Sequence, residues 1–118
     1  MATYTSIEEA FAGVEWRPVK GYEDRYAVSA DGRVWSFNRN RLLRPETVHN
    51  GYLRVNLYKD GKNKHKRVHC LVAETFIPNP NDYPEVHHKN TIKTDNRVEN
   101  LEWTSKGHNL EEMWERRK

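Results

Sequence analysis

Val86-His-His-Lys-Asn-Thr-Ile-Lys-Thr-Asp-Asn-Arg-Val-Glu-Asn-Leu-Glu-Trp103 is the stretch whose reading decides the fold. It opens on an apolar residue and two histidines, runs through a polar loop to Asn96, and returns in a second short extended piece near Val98 to Trp103. Beyond it, Thr104 or Ser105 suits the N-cap of a last helix with Leu110, Met113 and Trp114 on its buried face. The order is β, β, α. Neighbouring residues on an extended segment point to opposite faces, so His87 and His88 separate, one able to serve a metal ion and the other a water or substrate. Phosphodiester hydrolysis needs an activated water, stabilised charge at phosphorus and help for the departing 3′ oxygen. Histidine and a divalent cation cover these needs, and Asn109 offers a neutral oxygen ligand. A His-His pair by itself also describes two ordinary hydrogen-bonding histidines, so the flanking residues carry the decision.

Upstream, Val68, Leu71, Val72, Ala73 and Phe76 repeat at helical spacing, and Pro78 and Pro80 end that helix because proline has no backbone donor. Before it, alternating residues from Tyr52 to Tyr58, the Asp60-Gly61 turn and His65 to His69 read as a hairpin. Tyr26-Ala-Val-Ser29, Asp31-Gly32 and Arg33 to Phe37 read as another. Together these predict a small antiparallel sheet with the helix packed on it. Ser6 to Ala12 has capping-box spacing, with Ser6 three places before Glu9. The fold class is α+β: a small antiparallel sheet with short helices, followed by the ββα unit. The expected divisions are an N-terminal extension over 1–14, a β-rich module over 15–67 and the ββα unit over 68–118.

The chain has 118 residues, of which 36% are hydrophobic, so the core is small; 11% are aromatic, including Trp16, Trp35, Trp103 and Trp114, which excludes a disordered tail. Cys70 is the only cysteine, which rules out an internal disulfide and a multi-cysteine zinc site. The first twelve residues carry Glu8 and Glu9 and lack the basic start and apolar run of an export signal, so a cytoplasmic protein with no membrane partner is expected. Net charge is only +3, but residues 38–69 hold nine basic residues (Arg39, Arg41, Arg44, Arg54, Lys59, Lys62, Lys64, Lys66, Arg67) against two acidic ones. A basic block interleaved with Tyr52 and Tyr58 suits a nucleic-acid backbone; it equally suits the solvated face of a hairpin.

From Val68 to Asn109 the sequence resembles the HNH endonuclease family, in its phage and intron-associated homing branch. The matching text is His69-Cys-Leu-Val-Ala-Glu-Thr-Phe-Ile-Pro-Asn-Pro80, Val86-His87-His88, Asn96-Arg-Val-Glu-Asn100-Leu-Glu-Trp103 and His108-Asn109. The resemblance implies a ββα-metal site that hydrolyses double-stranded DNA, in the host cytoplasm if a phage encodes it. His88 aligns with the general base, and His87 with the preceding metal ligand. Asn100 aligns with the central asparagine that tethers the loop and orients the base, and Asn109 with the last metal ligand. One imidazole and one amide oxygen suit Mg²⁺, then Mn²⁺, with Zn²⁺ less favoured because His108 would have to join.

Trp16-Arg-Pro-Val-Lys20, Gly21-Tyr-Glu, Tyr26-Ala-Val-Ser29 and Gly32-Arg-Val-Trp-Ser36 resemble the module often placed ahead of HNH domains, which implies positioning on DNA. Arg39, Arg41, Arg44, Arg54, Lys62, Lys64, Lys66 and Arg67 are the DNA-binding candidates. One departure stands out. Relatives follow the base with an Asp-Gly-Asn turn, and this chain has Lys89-Asn90-Thr91-Ile92. That change motivates an alternative, a catalytically inactive DNA-binding protein on the same scaffold; a structural metal module ranks third. A monomer would nick one strand and a twofold dimer would cut both, and the sequence is compatible with either.

Overall fold

A computed structural model describes residues 4–105. The last-helix expectation, with Asn109 and His108, lies outside the described residues. Helix α1 (Ile7–Ala10) starts where the Ser6 hydroxyl accepts the Glu9 N–H at 3.2 Å. Four short strands follow in chain order as one antiparallel sheet: β1 (Trp16–Pro18), β2 (Tyr26–Ser29), β3 (Val34–Ser36) and β4 (Arg41–Leu42). A second sheet holds β5 (Glu46–Thr47), β6 (Leu53–Lys59) and β7 (Lys62–Arg67). The two predicted hairpins are present but lie in separate sheets rather than one. The chain leaves β4 through Leu43-Arg44-Pro45, and Pro45, which has no N–H, cannot donate to a continuation of that ladder.

The Asp60-Gly61 turn between β6 and β7 has positive φ at both residues, 52° and 76°, which matches the right-handed twist of a two-residue hairpin. Helix α2 (Val68–Phe76) begins directly after β7, so His69 sits in its first turn rather than at the end of a strand. Strands β8 (Glu85–His88) and β9 (Leu101–Thr104) form a third, two-stranded sheet; Val98–Asn100, expected extended, is a single 3₁₀ turn leading into β9.

One apolar cluster joins the three sheets and α2. Val28 and Val34 of the first sheet, Val55 and Leu57 of the second, Leu71 and Val72 of α2, and Val86 and Leu101 of the third sheet are all buried in it. Burying side chains of this size stabilises a fold by roughly 1.5–3 kcal/mol each. Polar contacts reinforce the joins. The Tyr26 hydroxyl accepts the Tyr58 N–H at 3.0 Å, Arg17 lies over the Phe76 ring and donates to the Thr75 carbonyl, and Trp103 Nε1–H donates to Ile77 at 2.9 Å. A smaller cluster of Ile7, Ala10, Phe11, Ala27 and Trp35 seats α1 on the outer side of the first sheet.

Candidate active site

In the β8–β9 ladder His88 stands opposite Leu101 and His87 opposite Glu102. Directly opposed residues share a face, so the two histidines separate as alternation requires: His88 turns toward the core side and His87 shares its face with a carboxylate. Both are buried.

His88 Nε2 lies 2.8 Å from Asn96 Oδ1. An amide oxygen can only accept, so Nε2 carries the proton and the lone pair resides on Nδ1. Burial pushes the His88 pKa below the ordinary histidine value, and the nearby charges of His87 and Lys93 act in the same sense against the Asn96 bond and Asp95. A neutral imidazole with one fixed tautomer is the form a general base needs.

The loop between the strands is a closed polar network. Asn100 Nδ2 donates to Asn90 Oδ1 at 2.9 Å and to the Asp95 carbonyl at 2.8 Å, while its Oδ1 accepts the Asn90 N–H at 3.1 Å. Asp95 receives two bonds from Arg97 and one from Asn90 Nδ2; the Arg97 bond is the main reason its carboxyl is held well below the usual range. Thr91 takes φ 64°, a region that β-branched residues adopt at a cost. Asn100 therefore ties the loop, whereas the side chain that touches His88 is Asn96. No local signal in the sequence marks Asn96 for this contact, because the contact depends on how the loop folds back over β8.

A second neighbour of His88, His69, likewise carries no local sequence signal for its place. The His69 ring packs 4.9 Å from His88 and stacks 4.9 Å from Tyr52, and Tyr52 carries Arg67 and Lys93 against its ring at 5.1 and 4.9 Å. Its Nδ1 is buried without a hydrogen-bond partner, and burial, with the charges of His88 and Arg67, pushes its pKa down to about 4. Cys70 is not a nucleophile candidate, since burial raises its thiol pKa and keeps it protonated.

Among the described residues no group of three or more metal-ligating side chains forms. His87 and its cross-strand neighbour Glu102 offer an imidazole nitrogen and a carboxylate oxygen on one face, a donor chemistry that fits a divalent ion completed by a further ligand.

The basic candidates do not converge on one face. Arg39, Arg41 and Arg44 line a cleft of about 220 Å³ with Tyr26, Asn56 and Tyr58. Arg54 and Arg67 pair across β6–β7 and line a second cleft of about 260 Å³ with His49 and His65, which the sequence reading did not select. Arg54 is partly committed to Glu46, at 2.5 Å. Lys66 and Lys64 stand opposite the buried Val55 and Leu57, and Lys62 opposite Lys59, so these three project from the other face of the hairpin.

Two family models match: the HNH endonuclease model over residues 66–111 and the NUMOD4 motif over 15–58. The chain is 37% identical over 103 residues to DNA endonuclease I-HmuI of Bacillus phage SP01, with 87% of this chain and 59% of that protein covered. It is 40% identical over 87 residues to an uncharacterized HNH endonuclease of Acanthamoeba polyphaga mimivirus, covering 74% of this chain and 26% of that one. The solved structure of the HNH homing endonuclease I-HmuI, described as DNA binding and cleavage, superposes with a TM-score of 0.83 at 37% identity over 86% of this chain and 59% of that one. The chain thus spans about three fifths or less of the length of these relatives.

Proposed function

The chain belongs to the HNH endonuclease family, and on that premise we propose that it hydrolyses phosphodiester bonds of double-stranded DNA with a divalent metal ion. The observation that carries this reading is the neutral His88, locked by Asn96 with its Nδ1 lone pair available. His88 takes the proton of the attacking water through Nδ1, and the Nε2–H···Asn96 bond strengthens as the ring becomes cationic. Burial holds the ring in one orientation, so no reorganisation is needed at the moment of proton transfer. His87, with Glu102 beside it on the same face, and Asn109, by the family resemblance, would hold the metal, which would supply positive charge for the phosphate and the leaving oxygen. One imidazole among oxygen donors would suit Mg²⁺ or Mn²⁺ better than Zn²⁺, and Mg²⁺ is the ion proposed.

The arginine clefts and the hairpin lysines bind the DNA backbone, residues 15–67 acting as the positioning module and 68–118 as the cutting unit. The test is supercoiled plasmid incubated with wild type and with His88→Ala, in Mg²⁺, in Mn²⁺ and in chelator. Metal-dependent nicking or linearisation is expected, falling about 10²–10⁴-fold in the variant. A folded wild type that binds DNA and cuts nothing in any lane would leave the second reading, a silent DNA-binding protein, which the strained turn at Thr91 favours.

A further inference from the structure

Asn96 fixes His88, and what seats Asn96 comes from the N-terminal half of the chain. The turn between β2 and β3 runs against the segment that leads into the 3₁₀ turn. The Val98 N–H donates to the Ala30 carbonyl at 2.9 Å. Gly32 packs so tightly on Asn96 that a Cβ placed on it would stand 2.9 Å from Asn96 Cβ, 3.0 Å from the Asn96 carbonyl oxygen and 3.2 Å from its carbonyl carbon. Two of those three atoms are backbone, which cannot rotate away as a flexible side chain would.

The turn has little freedom to yield. Gly32 sits at φ 88°, its N–H donates to the Ser29 carbonyl at 3.0 Å, and the Arg33 N–H donates to Ser29 Oγ at 2.9 Å. The Arg33 guanidinium bridges to Asp31 and donates to the Ala10 carbonyl at 2.9 Å, tying the turn to α1. Any side chain at position 32 therefore pushes on the backbone of Asn96, and a shift of Asn96 carries its Oδ1 away from the ring it holds.

We infer that the Ala30–Gly32 turn is a positioning element for the catalytic base, acting through Asn96, so that the module ahead of the ββα unit helps to build the active site as well as to place it on DNA. Gly32 touches neither substrate nor metal; it is a positioning residue. The inference takes the role of His88 from the proposed function, while the geometry it concerns can be measured without cleavage.

Three full-length variants test it. Gly32→Ala adds the clashing Cβ. Gly21→Ala is the control: its φ of 85° imposes the same backbone cost, and nothing lies within 4 Å of its Cβ. Val98→Pro deletes the inter-segment bond at the first residue of the 3₁₀ turn, where proline is tolerated, and Arg97 before it already has the extended backbone that proline requires, φ −68° and ψ 143°. The readouts are ¹⁵N resonances of the His88 ring, which report its tautomer, together with DNA affinity and kcat on plasmid.

Expected are loss of the single Nε2-protonated signature and a fall in kcat of about ten- to a hundredfold for Gly32→Ala, at unchanged affinity, with Val98→Pro moving the same way and Gly21→Ala unchanged. A wild-type ring signature in both Gly32→Ala and Val98→Pro overturns the inference, as does an equal loss in Gly21→Ala. Should Gly32→Ala not fold, Val98→Pro decides. Should wild type not cleave, the proposed function fails and the ring signature alone still decides the positioning role.

Discussion

The pocket around His88 and the hairpin β6–β7 are both rich in polar side chains, yet they are built in opposite ways. In the pocket His69, His88, Asn96 and Asn100 are all buried, and each polar contact has a single geometry. On the hairpin Lys62, Lys64, His65 and Arg67 are exposed and reach solvent whether or not a partner is present. Where water is excluded, an unmatched donor costs its full desolvation and one misplaced group is felt at once. Where water is present, each charge contributes little, salt screens it, and several must be removed before much changes. The pocket should therefore respond to single substitutions and to pH, and the hairpin to combined substitutions and to salt.

The largest expected contrast is in acid. His69 is buried and stays neutral in the fold, with a pKa near 4 against 6.5 for a free histidine. Above pH 6.5 it is neutral in both the folded and unfolded chain and costs nothing. As pH falls from about 6.5 toward 4 the unfolded chain takes up a proton that the folded one refuses, so stability is lost across that window, by roughly 3 kcal/mol in all. His69→Phe keeps a ring against Tyr52 and His88 and removes the titration. Urea unfolding at pH 7 and pH 4.5 should show the variant losing less stability than wild type; equal losses would assign the acid sensitivity to another group, the neighbouring His88 or one outside this pocket.

Next in size is Asn96→Ala, which leaves the His88 Nε2–H without its acceptor. Cleavage should fall about ten- to a hundredfold at saturating DNA, with affinity for DNA unchanged. Asn96→Asp, which retains an oxygen acceptor, should recover most of the rate. An alanine variant as fast as wild type would mean that packing by His69 and Leu101 alone orients the ring.

The pocket was only half legible in the sequence. His87 and His88 were readable because strand alternation is local, and so were the Asp60-Gly61 hairpin and the end of α2 before Pro78. Asn96, His69 and Gly32 were not. Their contacts with His88 or with one another are set by how loops fold back and how segments pack, and no local period marks a residue for such a role. The same holds for β1, β4 and β5, two or three residues each. Strands that short carry no alternation to read and exist because a longer neighbour offers them a ladder. The single sheet expected from two hairpins became two for a related reason: whether consecutive hairpins share a ladder depends on the connection at Leu43-Arg44-Pro45 rather than on the strands.

The smallest effect per residue belongs to the hairpin lysines, and it can decide which face of β6–β7 meets DNA. Cross-strand register puts Lys64 and Lys66 on the side of Leu57 and Val55, and Arg67 and His65 on the side of Arg54 and Asn56. A duplex lying on the arginine face would leave the lysines beyond direct phosphate contact, whereas one gripping the edge strand β7 would use them. Each phosphate contact contributes about 0.9 to the slope of log affinity against log salt. Changing Lys62, Lys64 and Lys66 together to alanine should lower that slope by between about 2 and 3 if all three neutralise phosphates, with an affinity loss on the order of a hundred- to five-hundredfold near 0.1 M salt, less than tenfold per lysine, and no change in the rate at saturating DNA. An unchanged slope would take the lysines off the interface and leave the arginine clefts to hold the backbone. A fall in the saturated rate would blur the contrast itself, since it would mean that the hairpin sets the alignment of the scissile phosphate with His88 as well as the grip.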